Sequence, residues 1–101
     1  GLYPLKDNDC GGIYSVKAPD GNACFPPGVW QTYDITFVQG SERELPTVTV
    51  VQNGVTILDH VEIPAKVARE GTGGANKSGG FLRLQDHGNP VRFRNIWIRN
   101  L

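Results

Sequence analysis

The chain has no methionine, only two cysteines among its 101 residues, and no net charge, its 10 basic residues balancing its 10 acidic ones. Each shortage excludes something. Balanced charge removes the electrostatic footprint by which a domain binds nucleic acid or an anionic membrane surface. No apolar run approaches the roughly 18 residues that a membrane-crossing helix requires. Two cysteines without clustered histidines cannot close a tetrahedral zinc site. The glycine-rich run at residues 71–80, GTGGANKSGG, lacks the Gly-Lys-Ser/Thr ending of a phosphate-binding loop, which argues against a nucleotide. No heptad and no internal repeat is visible.

Turn chemistry is what the chain has in plenty. Its 13 glycines and 7 prolines punctuate β-branched runs, a pattern that predicts one all-β domain over residues 1–101. The opening Gly1-Leu2-Tyr3-Pro4 has the character of a mid-domain loop and no leader is visible. The expectation is that a leader was removed or that the chain is part of something longer. Cys10 and Cys24 bracket a polar loop rich in glycine and proline. Two readings stand side by side. A disulfide closing that loop contributes ~3 kcal/mol by chain entropy and implies an oxidising compartment; the other reading is a reduced, buried pair in a cytosolic protein.

Strand signals follow in order. Residues 11–16 predict a short strand. Residues 18–28 form a loop in which Asp20-Gly21 marks a turn and Pro26-Pro27 enforces extended backbone. Residues 30–38 alternate, with Tyr33, Ile35 and Phe37 on one face and Thr32, Asp34 and Thr36 on the other. Asn53-Gly54 between residues 48–52 and 55–58 predicts a hairpin with a two-residue type I′ turn. Residues 65–70 are too short and uncapped to predict a helix, and Asn76-Lys77-Ser78 matches a glycosylation acceptor. His60 reads as a surface residue. At the end, residues 81–87 and 91–99 predict two strands joined by the corner His87-Gly88-Asn89-Pro90, and the apolar phase slips by one residue after Asn95, the mark of a β-bulge. Their polar face carries Gln85, His87, Arg92 and Arg94. About five strands in one sheet leave edges to protect and apolar faces that need a second layer.

Five segments together carry a family likeness: Cys-Gly-Gly-Ile-Tyr at 10–14, Asn-Ala-Cys-Phe-Pro-Pro-Gly-Val-Trp-Gln-Thr-Tyr-Asp-Ile at 22–35, Val-Thr-Val-Val-Gln-Asn-Gly-Val at 48–55, Asp-His-Val-Glu-Ile-Pro at 59–64, and Leu-Gln-Asp-His-Gly-Asn-Pro-Val-Arg-Phe-Arg-Asn-Ile-Trp-Ile-Arg at 84–99. The chain resembles the 3-keto-disaccharide hydrolases, mostly bacterial and exported. The resemblance implies a concanavalin-A-like antiparallel β-sandwich, or jelly roll. It covers the C-terminal half of a domain about twice as long, because a jelly roll needs two full sheets. A missing N-terminal half or a complementary chain is then expected to complete the sandwich, and a secreted or periplasmic location is implied.

The resemblance also implies a chemistry. A ketone at C3 of a sugar acidifies the C2 proton, so that a base can remove it and expel the C1 aglycone; water then adds. This route needs a base, a stabiliser of enolate charge, and donors for hydroxyls. The candidates are His87 as base, Arg94 as charge stabiliser and Gln85 as hydroxyl partner, with Tyr14 and Arg92 binding the sugar. A divalent metal polarising the ketone is a further option, but His87 and Asp86 alone are too few ligands to make its site. Each residue also has a structural reading. His87 can hydrogen-bond its own turn and Asp86 anchor the corner; Arg92 and Arg94 can form a solvated face, while Tyr14 and Trp30 can be rim aromatics. The alternative function is a non-catalytic carbohydrate-binding or structural module.

Overall fold

The structure, a computed structural model, describes residues 4–64, 82–85 and 88–101. The segment 65–81, with its glycine-rich run and the Asn76 acceptor motif, lies outside the described residues, as do Asp86 and His87. What is described is all-β: three antiparallel strands form one open sheet in the order β1-β2-β3, with β1 at Tyr33–Val38, β2 at Thr47–Gln52 and β3 at Val55–Glu62. That is the arrangement of one layer of a β-sandwich. No described helix is long and apolar enough to cross a membrane.

The β2–β3 turn is the type I′ hairpin that its sequence predicts. Asn53 and Gly54 both adopt positive φ, 51° and 82°, the backbone that this turn demands at both central residues. Strand β1 pairs with β2 without interruption from Tyr33↔Gln52 to Val38↔Thr47. The pairing of β2 with β3 is irregular. Thr47↔Glu62 and Val48↔Val61 are followed by Val50↔Leu58 and then Val51↔Thr56. Asp59 and His60 therefore oppose Thr49 alone, and Ile57 is a second extra residue, so β3 carries two bulges. At the first, His60 turns left-handed (φ 48°) and its backbone N–H donates to Thr49 Oγ1 at 3.0 Å. At the second, the period-2 alternation breaks, and the consecutive Ile57 and Leu58 are both fully buried.

These two residues and Val50 make the core, with Ile13, Ala23, Val48 and Val61 packed against it. Residues 4–31 supply the cover. Asp20 N–H donates to the Ile57 carbonyl at 2.8 Å, and Gly11, at φ 90°, lies against Ile57 Cδ1. Cys10 and Cys24 are joined by a disulfide, the first of the two readings of that pair. The loop covers β2 and β3 but leaves β1 open: Tyr33, Ile35 and Phe37, the apolar face of that strand, are 47, 62 and 58 % exposed.

Two strand expectations are corrected. Residues 11–16 form a turn closed by the single bridge Ile13↔Lys17, with Ser15 at φ 61°, where its N–H donates to Asp7 Oδ2 at 2.6 Å. The C-terminal pair is not a hairpin among the described residues. Residues 82–85 and 91–99 join no ladder, and β1, β2 and β3 are the only described strands. Alternation makes a strand only when a neighbour supplies backbone partners. The phase slip at Asn95 has a local cause instead. Asn95 adopts φ 55°, and one left-handed residue re-aims the side chains that follow it.

Candidate functional site

Arg94 is the sequence-predicted site residue whose surroundings are best defined. Its guanidinium carbon lies 3.8 Å from the centre of the Trp30 ring, close enough for a cation–π contact. The contact ties the C-terminal segment to the residue that leads into β1. Gln85, Arg92 and Tyr14 are exposed, and no hydrogen bond or ion pair among the described residues joins them to one another or to Arg94. Tyr14 sits on the turn bridged by Ile13 and Lys17. His87, the expected base, lies outside the described residues, and so does Asp86. Among the described residues no three His, Cys, Asp or Glu side chains gather to hold a metal ion.

Trp30 is held by its neighbours in the chain. Val29 N–H donates to the Pro26 carbonyl at 3.3 Å across Gly28, whose φ of 86° the turn requires. Gln31 Oε1 accepts from Phe25 N–H at 3.0 Å and from Asn53 Nδ2 at 3.1 Å. Thr32 N–H donates to Asn53 Oδ1 at 2.9 Å, and Asn53 N–H returns a bond to the Thr32 carbonyl at 3.0 Å. Asn53 also donates through Nδ2 to the Ala23 carbonyl at 2.7 Å. One turn residue thus fastens the hairpin to both the loop and the approach to β1.

Beside it, Gln52 is fully buried. Its Nε2 lies 3.1 Å from Cys24 Sγ and 3.0 Å from the Tyr33 hydroxyl, while its Oε1 has no partner among the described residues. Two N–H groups cannot serve every acceptor around that nitrogen at once, so the amide, the disulfide and the phenol form one shared network. Burial pushes the Tyr33 phenol up from its ordinary value. A signal for Gln52 was present in the sequence, since a polar residue takes the apolar phase of Val48 and Val50. Asp59 and His60 touch each other on the exposed bulge. The described recess lined by Leu5, Asp9, Cys10, Asn22 and Cys24 lies at the disulfide.

Neither a curated protein nor a solved structure matches the chain significantly. One family's sequence profile matches residues 4–99, nearly all of it. The match spans the disulfide loop, the hairpin and the arginine-bearing C-terminal segment alike, and the chain belongs to the family described as the 3-keto-alpha-glucoside-1,2-lyase-like domain.

Proposed function

We propose that the chain takes part in cleaving glycosides already oxidised to a ketone at C3, as the C-terminal part of an exported jelly-roll domain. The observation that carries this reading is the family match over residues 4–99. The disulfide, a bond of oxidising compartments, supports the location. The open apolar face of β1 supports a second layer supplied by a missing N-terminal half or a complementary chain.

In the mechanism, His87 removes the C2 proton. The electron pair moves toward the C3 ketone oxygen, and the resulting enolate charge is stabilised by the Arg94 guanidinium. Collapse of the enolate forms the C1–C2 double bond, breaks the bond from C1 to the glycosidic oxygen, and releases the aglycone, which takes up a proton. Water added across that double bond completes hydrolysis. Gln85 and Arg92 bind sugar hydroxyls, and Tyr14 lies against the ring. Removing a general base costs ~10²–10⁴-fold in rate. His87→Ala in the complete protein should therefore abolish turnover of a 3-keto-glycoside while the melting temperature stays nearly unchanged. Activity within a few-fold of the parent rejects the assignment. One observation favours a second reading, a non-catalytic carbohydrate-binding module: the described candidates Gln85, Arg92, Arg94 and Tyr14 are exposed.

A further inference from the structure

Stacking on an aromatic ring uses the face of a guanidinium and leaves its N–H groups pointing outward in the ring-parallel plane. For Arg94 those groups have no protein acceptor among the described residues, and its charge lies over the Trp30 ring. The same lack of a carboxylate partner holds, among the described residues, for Arg83, Arg92 and Arg99; the described ion pair is Lys17–Asp20, and Asp59 is in contact with His60. The sequence explains why. Beyond residue 81 the chain carries these four arginines and a single acid, Asp86. The backbone on either side of Trp30, itself 45 % exposed, is braced by the Pro26–Val29 turn and by the Gln31 and Thr32 bonds to Asn53. The result is a cation 3.8 Å over a half-exposed aromatic ring, with no carboxylate partner among the described residues.

We propose that Trp30 and Arg94 form a recognition subsite for a saccharide that carries a carboxylate, a uronic or aldonic acid. Arg94 is the receptor, since its planar fork matches a carboxylate in two parallel hydrogen bonds. Trp30 is the positioning residue that fixes the orientation of that fork. Only the saccharide part of the ligand rests on the function proposed above; the anion part follows from the arginine and its platform.

The test titrates the full chain, disulfide intact, with D-glucuronate, D-glucose and acetate, following the Arg94 Nε–H and Trp30 indole N–H resonances by NMR. Glucuronate should bind about tenfold or more tighter than glucose, as a charge-assisted paired contact requires, and about tenfold tighter than acetate, which makes the same contact but has no ring to lie against Trp30. Arg94→Lys keeps the charge but loses the fork, and should weaken glucuronate about tenfold. Trp30→Ala should weaken it about fivefold and broaden the Arg94 signal, whereas Trp30→Phe should restore binding to within about twofold. Far-UV melts of Trp30→Phe and Arg94→Lys keep the comparison valid if Trp30→Ala does not fold. Equal affinity for glucose and glucuronate overturns the proposal, and so does acetate binding as tightly as glucuronate. Tight glucuronate binding by the chain, with no turnover of any 3-keto-glycoside by the complete protein, removes the enzymatic reading and leaves this subsite standing. Turnover of a neutral 3-keto-glycoside with no preference for the acid does the reverse.

Discussion

Replacing Asn53 by glycine separates two jobs that one residue performs. The turn needs positive φ at position 53, which glycine adopts without steric cost, so the hairpin geometry survives. The side-chain bonds do not. Thr32 N–H loses its acceptor, and the Ala23 carbonyl and Gln31 Oε1 lose their donor. A hydrogen bond contributes roughly 0.5–1.5 kcal/mol net. Two of these three are partly buried and one is exposed, so the loss comes to about 2–3 kcal/mol. Glycine adds unfolded-chain entropy worth up to about 1 kcal/mol in the same direction. Urea unfolding of the disulfide-bonded protein should show a lower midpoint with an unchanged slope, the mark of lost stability without lost compactness. Asn53→Asp is the control: it keeps an acceptor for Thr32 and removes both donated bonds, and its carboxylate then faces two acceptor oxygens. It should be at least as destabilised at neutral pH and recover as that carboxyl protonates in acid. If Asn53→Gly unfolds within 0.5 kcal/mol of the parent, a value inside ordinary surface-substitution scatter, the clamp assigned to Asn53 does not exist.

Three further outcomes are expected. Reducing the bond between Cys10 and Cys24, separated by 14 residues, should cost ~3 kcal/mol; free thiols in a non-reducing intact mass would contradict the bond itself. Gly11→Ala places a Cβ into Ile57 Cδ1 at a φ of 90°, so it should destabilise by about 2–4 kcal/mol, measured by the same unfolding curves; a neutral result would mean that the loop does not pack on Ile57. Tyr33 should ionise above the ordinary tyrosine range in an ultraviolet titration because burial disfavours the phenolate. Its folded value is raised, so the unfolded chain gives up the proton first, and stability should fall as pH climbs through and beyond the unfolded tyrosine value.

Where local chemistry decides the backbone, the sequence was sufficient. Asn53-Gly54 specifies its turn whatever surrounds it, and the alternation of residues 33–38 places Tyr33, Ile35 and Phe37 together on one face. Legibility ended where a partner or one backbone angle decides. The bulges of β3 leave no mark in Val55–Glu62 that periodicity can read, because Ile57-Leu58 fits either an alternating strand that ends early or a bulged one. The C-terminal alternation looked like two strands, yet pattern describes only which side chains share a face, and backbone pairing is a separate requirement. Of the candidate site, the charge of Arg94 is legible, but its relation to Trp30 spans more than sixty residues and no spacing rule reaches that far. Gln52 is legible in the pattern, because it shares the apolar phase of Val48 and Val50.

The two bulges also give the sheet a direction. An edge strand templates another strand only if its outward N–H and C=O groups lie in an even row. Along β3 that row is broken twice, at Ile57 and at Asp59-His60, and the Ile57 carbonyl is already taken by Asp20. The β1 edge has an unbroken register behind it from Tyr33 to Val38. Among the described residues, β1 is therefore the edge that offers a regular row to a further strand, and β3 is the poorer template. The hairpin arm that looks least regular is thus the one that offers least to a neighbouring strand.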